Sequence, residues 1–236
     1  MPNWCENYAR IEMPQGVEAE GFILVLENKE KEYEILREKT HALPKWQEGM
    51  GFCNYFFPEP SETYNGTTET GGMPDWYSWR TTEWGTKWEV DCHNGDYYKN
   101  ADGTITFELH FDSAWAPPLG VYERIHARHN EGWGIYATYI EGGMGFCGEF
   151  DYGNHDSWDL GTRQDTDVPA HIQEEFSWHY DYMDEQQQEE DVHLIVKGDM
   201  THEQFIDKWG NDTYDDWVDM MNPGTGDPAK KEVANG

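Results

Sequence analysis

The sequence predicts an α+β domain: an antiparallel sheet with two helices on one face, in the split βαβ order. Three observations carry this expectation. Alternating apolar and polar residues recur at Trp4–Met13, Trp84–His93, Thr104–Asp112 and Trp133–Ile140. Helical periodicity fills the gap between the first and second of these segments and the gap between the third and fourth. The apolar content is concentrated in rings, with 12 Trp, 14 Tyr and 10 Phe against 10 Ile, 9 Val and 8 Leu. So few aliphatic residues with high charge ordinarily point to disorder. Each aromatic side chain, however, buries about 150–250 Å², and disordered acidic chains are poor in rings. A folded, ring-built core follows.

Trp4 to Met13 reads as the first strand, ended by Pro14. Gln15 to Arg37 carries Phe22, Ile23, Val25, Leu26, Ile35 and Leu36 among Glu and Lys and reads as one helix, with Gly21 weakening its middle by about 1 kcal/mol relative to Ala. Residues 40–80 are rich in Gly, Pro, Thr and aromatics and read as an irregular insertion. Trp84–His93 is the second expected strand, with the turn dipeptide Asn94-Gly95 after it. Thr104 to Asp112 places Ile105, Phe107, Leu109 and Phe111 on one face, and Asn100-Ala101-Asp102-Gly103 suits a hairpin turn before it. Beyond Pro117-Pro118, Leu119 to His129 reads as the second helix. Trp133–Ile140 is the fourth strand, and Phe146–Tyr152 a hairpin partner across Gly142-Gly143. The resulting order is the topology called ferredoxin-like, although no iron–sulfur cysteine spacing is present.

From residue 149 to 227 the chain holds 22 acids against Arg163, Lys197 and Lys208. The expected organisation is a domain over 1–150, an acidic, partly helical extension over 151–222 packed on it, and a flexible tail over 223–236. His171–Glu190 reads as a helix or a mobile acidic segment, and Val192–Val196 as a short edge strand. Thr201-His202-Glu203-Gln204 has capping-box spacing and opens a helix to about Met221, with Phe205, Ile206, Trp209, Trp217 and Met221 inward.

The 236 residues contain 47 Asp and Glu and 16 Lys and Arg, a net charge of −31. Phosphate contacts need Lys and Arg, so direct nucleic-acid binding is disfavoured, as is an anionic membrane surface. No run reaches the roughly 20 apolar residues of a membrane-spanning helix. Met1–Glu6 lacks the basic flank and apolar run of a secretory signal, so the expectation is a cytoplasmic protein. Cys5, Cys53, Cys92 and Cys147 stand far apart and read as buried thiols. His126 and His129, three apart on a helix, have no third spaced ligand, and Asp165-Thr166-Asp167 lacks the glycine and closing glutamate of a calcium loop. No metal, no cofactor and no catalytic constellation is expected.

Three short motifs occur in order: Met1-Pro2-Asn3-Trp4-Cys5, Trp84-Gly85-Thr86-Lys87-Trp88, and Phe111 through Pro118 (FDSAWAPP). With them the first 150 or so residues resemble the YubB ferredoxin-like family, small proteins carried by bacteriophages and conjugative plasmids. The resemblance implies that fold and a mobile-element origin. It implies no activity.

Two functional readings come from the residues. The leading one is a non-catalytic inhibitor of a host defence protein, acting by acidic DNA mimicry in the host cytoplasm. Double-stranded DNA carries one charge per roughly 1.7 Å of axis, so 31 charges match roughly 53 Å of duplex in number. The partner would present a basic nucleic-acid-binding groove. The expected contact residues are Asp181, Asp184, Glu185, Glu189, Glu190 and Asp191, then Asp212, Asp215, Asp216 and Asp219, the last four at helical i, i+3, i+4, i+7 spacing. The alternative is a small-ligand or nucleotide-binding, or nucleotide-processing, protein with a ring-lined pocket. There Trp84 and Trp88 would share a strand face with Lys87 behind them, and Arg80 and His93 would converge on the same pocket. A third reading leaves the charge as a solubility device alone.

Overall fold

The computed structural model describes residues 3–60, 75–93, 95–162, 166–210 and 213. The chain divides into two compact units, one of residues 1–160 with 167–175, the other of 161–166 with 176–236.

The first unit is built on one six-stranded antiparallel sheet. Its strands are β1 (Trp4–Pro14), β2 (Asp96–Lys99), β3 (Thr104–Ala114), β4 (Gly134–Glu141), β5 (Phe146–Asp151) and β6 (Asn154–Asp159). Their spatial order is β2-β3-β1-β4-β5-β6. The helices are α1 (Val17–Leu26), α2 (Glu30–Thr40), α3 (Phe52–Phe56), α4 (Trp76–Glu83), α5 (Leu119–His126) and α6 (Ala170–Glu175). The second unit holds α7 (Ser177–Lys197) and α8 (His202–Trp209).

The alternation that marks β1 and β3 in the sequence does the expected work. Ala9 pairs with Leu109, Ile11 with Phe107 and Met13 with Ile105, so one continuous apolar face results. That face joins a core with Phe22 and Val25 of α1, Phe52 of α3 and Val121, Tyr122 and Ile125 of α5. Rings make most of the contacts: Phe22 meets Phe107 at 5.0 Å between centroids, Phe52 meets Phe111 at 5.3 Å, and Tyr122 meets Phe150 at 5.8 Å. Asn7 also lies on this face, buried, donating to the Ser113 hydroxyl at 2.8 Å and accepting from Tyr122 Oη at 3.1 Å. Such pairing is what allows a polar group inside an apolar core. The opposite face is covered at β4 and β5 by α6, where Glu175 accepts from Thr138 at 2.7 Å and His171 meets Glu149 at 2.9 Å. All four cysteines are buried and none is in a disulfide.

Several expectations are corrected. The single helix over Gln15–Arg37 is two helices, α1 and α2, separated where Asn28 adopts a positive φ of 51°. Asn tolerates that left-handed conformation locally but a helix cannot pass through it. Gly21 is no weak point: a Cβ there would lie 2.8 Å from both Leu43 methyls, so the position needs glycine for close packing. Trp84–His93 forms no strand. Trp84 ends α4, Gly85 turns the chain at φ 89°, and the second strand is instead Asp96–Lys99, whose hairpin to β3 runs through the expected Asn100–Gly103. The irregular insertion includes α3 and α4 among its described residues. Val192–Val196 lies within α7, not in a strand. β6 had no sequence signal, because its residues are almost all exposed and polar. The capping box at α8 is present, with Thr201 accepting from the Gln204 amide and Gln204 from the Thr201 amide. Trp217 and Met221 lie outside the described residues.

Candidate functional site

The three sequence motifs meet on one surface of the first unit. The Trp115 amide donates to the Asn3 carbonyl at 3.0 Å. Thr86 Oγ1 donates to the Ala114 carbonyl and accepts from the Ala114 amide, at 3.1 and 3.0 Å. The Gly120 amide donates to the Trp84 carbonyl at 3.1 Å. These bonds hold the ends of β1 and β3 and the turn after α4 as one piece.

On the outside of that piece stands a ring cluster around one lysine. Lys87 Nζ lies 4.8 Å from the Trp88 ring, 5.0 Å from Trp115 and 5.6 Å from Tyr77. Trp4 continues the cluster 5.6 Å from Trp88, and Trp115 meets Tyr77 edge-on at 6.2 Å. Trp4 is 49% exposed and Tyr77 40%. Each cation–π contact is worth about 0.5–1 kcal/mol at an exposed site, so three of them fix the lysine without an acid. In a chain with 47 carboxylates, Lys87 makes no ion pair among the described residues. Trp115 sits at φ 71°, rare and strained for so bulky a residue. Trp4, Tyr77 and Trp115 were not among the expected site residues, although Trp4 and Trp115 lie in the motifs.

The pocket drawn from the sequence is not formed as expected. Trp84 is wholly buried, donating its indole N–H to the Phe57 carbonyl at 2.8 Å, so it is core and does not share a face with Trp88. A turn, where a strand was expected, sends Trp84 inward and leaves Lys87 and Trp88 outward. Arg80 donates to Glu59 at 2.9 and 2.6 Å while lying over the Trp76 and Trp84 rings. His93 places Nδ1 2.9 Å from the Val25 carbonyl. Each is engaged in holding the fold, and they do not converge on Lys87.

In the second unit, α7 presents an exposed acidic row. Asp181, Glu185 and Glu189 are exposed at i, i+4, i+8 spacing, Glu190 is exposed beside them, and Asp184 is half-buried. Trp178 and Tyr182, 51% and 55% exposed, share one helix face with Glu185 and Glu189 at i, i+4, i+7, i+11. These two rings were missed from the sequence, where His171–Glu190 reads only as a helix or a mobile acidic segment.

Asp191 is a correction. It is 2% exposed and accepts from Gln187 at 3.1 Å, Lys208 at 2.9 Å and Trp209 Nε1 at 2.8 Å, tying α7 to α8. Burial pushes its carboxyl up, and the bonds from Trp209, Lys208 and Gln187 outweigh that, leaving it below the usual carboxylate range. It is a clamp, not a contact residue. Asp212, Asp215, Asp216 and Asp219 lie outside the described residues.

His126 and His129 stack at 5.0 Å, with His126 Nδ1 buried and without a partner. Among the described residues no group of three or more His, Cys, Asp or Glu is arranged to hold a metal, and no helix is long and apolar enough to cross a membrane.

Comparison with known proteins returns little. No family model matches the chain, and no curated protein matches it. Among solved structures it is similar to the crystal structure of the protein api92 from Yersinia pseudotuberculosis, of family model DUF1281. The identity is 11%, covering 69% of this chain and 99% of that one, with a TM-score of 0.30. A likeness that low carries no functional argument.

Proposed function

We propose that this chain acts without catalysis, as an inhibitor that occupies the basic nucleic-acid-binding surface of a defence protein. The observation that carries the reading is the exposed face of α7, where Trp178 and Tyr182 lie beside Asp181, Glu185 and Glu189. Acidic groups on a rigid helix steer a basic partner and raise its rate of encounter. Tryptophan and tyrosine are the side chains that most often anchor a protein interface once it closes. The net charge of −31 adds a long-range field of the same sign. The bacteriophage or plasmid origin, and with it a host cell as the place of action, rests on the motif resemblance.

The strand order supports the finer fold reading. β1 and β2 flank β3 and are joined through helices, while β3 and β4 flank β1 and are joined through α5. Such an order fits the ferredoxin-like split βαβ pattern, with β5 and β6 as additions.

The test is capture of partners from host lysate at low salt, with elution by a salt gradient and competition by duplex DNA. The expected result is one nucleic-acid-binding protein, displaced by DNA, that elutes at lower salt from a chain carrying Asp181→Asn, Glu185→Gln and Glu189→Gln. A partner indifferent to salt, to DNA and to these substitutions would overturn the reading.

A second reading has its own observation. Lys87, held among Trp88, Trp115 and Tyr77 with no carboxylate partner among the described residues, offers a cation beside the exposed Trp4 ring. A planar anion such as a nucleotide would stack on Trp4 and meet Lys87 with its phosphate. Nucleotide titration of the intact chain and of Lys87→Gln separates this reading from the first.

A further inference from the structure

We propose that the cleft between α1, α3 and α5 binds a small carboxylic acid with a compact apolar body. The cleft has a volume of about 150 Å³. An apolar cavity of about that size is large enough for one benzene ring. Its floor is apolar, formed by Leu43, Tyr55, Phe56 and Ile125. Its lining includes two arginines four residues apart, Arg124 on α5 and Arg128 just beyond its end, in a chain with about three acids for every base.

The two arginines are in different states. Arg128 is saturated: it donates to both carboxylate oxygens of Glu18 at 2.6 and 2.9 Å, reaches Glu131 at 2.9 Å through Nε, and lies 3.9 Å over the Trp133 ring. Arg128 thus offsets one of the two carboxylate charges it holds, and the Glu18 carbonyl accepts from Tyr55 Oη. Arg128 and Glu18 are a wall. Arg124 has its guanidinium carbon 5.0 Å from the centre of the Phe57 ring and makes no hydrogen bond or ion pair among the described residues. A guanidinium whose N–H groups are not already engaged recognises a carboxylate by two parallel bonds. An apolar floor beside a guanidinium that is unengaged among the described residues has the complementarity of a molecule with one carboxylate and one small ring or branched chain.

The Lys87 cluster does not reproduce this arrangement, because a lysine is a point charge without the planar fork. The inference is also independent of the α7 face, so either can fail alone.

The test uses benzoate as the probe on the full chain, followed by methyl NMR of Leu43 and Ile125. The expected result is saturable shifts of both methyls by benzoate and not by benzamide, the neutral analogue. Arg124→Gln, an exposed change that leaves the core untouched, should weaken benzoate by roughly tenfold or more, the loss of a charge-assisted pair. Arg124→Lys, which keeps the charge and loses the fork, should fall between, and Lys87→Gln should change nothing. Equal response to benzamide, shifts confined to the Trp4 and Trp88 rings, insensitivity to Arg124→Gln, or no shift at all would each overturn the proposal.

Discussion

A methyl group added at Gly120 would stand 1.7 Å from the Glu83 carbonyl oxygen, closer than any non-bonded contact allows. Gly120 belongs to α5 and donates its amide to the Trp84 carbonyl at the end of α4, so the two helices approach backbone to backbone here. Gly120→Ala is expected to cost about 3 kcal/mol or more, the upper range for forcing atoms into a packed interior. Denaturant unfolding checks it, and the loss should appear in the first unit. Other residue-scale devices are equally local. Glu89 accepts from the amides of Cys53 and Asn54 at 2.7 and 2.8 Å and so holds the start of α3. Burial pushes its carboxyl up against the pull of those same bonds. None of these was legible in the sequence, because nothing in a glycine or a glutamate tells which backbone will approach it. Gly21 makes the same point: it marks a close contact with Leu43, where propensity alone suggests a weak spot in a helix.

Elements whose pattern is carried by their own residues were legible. Alternation located β1, β3 and β4, and the Thr201–Gln204 spacing located the start of α8. Trp84–His93 misled because its alternating rings answer to different neighbours: Trp84 packs under Arg80 while Trp88 stands outside with Lys87. The acidic row on α7 was visible as composition, but the burial of Asp191 depends on Lys208 and Trp209, seventeen and eighteen residues away. α7 also carries a pH dependence. His179 is buried, its Nε2 has no partner, and burial holds its pKa below the ordinary value of 6.5. The unfolded chain therefore takes up a proton at this position before the folded one does. Stability from neutral His179 is complete above about pH 6.5 and falls as the pH drops through the lower folded-state pKa. Thermal melts followed at the α7 helix signal should show less acid sensitivity in His179→Leu than in the parent between about pH 7 and 5, a window set by the ordinary histidine value. Equal sensitivity would mean that other groups carry the transition.

Across the whole molecule the charge imbalance of −31 is a stability term as well as a field. Raising ionic strength from about 0.01 to about 0.15 M shortens the screening length from about 30 to about 8 Å. Repulsion between carboxylates farther apart than that is removed, while close bonds such as Arg128 to Glu18 survive. The melting midpoint is expected to rise over this range, equally with sodium and potassium chloride, and then to level off. A flat response would mean that the acids lie too far apart or too well paired to repel. The four buried cysteines have a practical meaning at this scale. Thiolates are the species that alkylating reagents attack, and burial pushes the Cys5, Cys53 and Cys92 thiols well above their ordinary range. Native thiols that stay silent leave the surface chemically blank. One cysteine placed on the outer side of α7 would then take a maleimide dye alone, and the natural sequence becomes its own background for following a partner onto that helix by fluorescence.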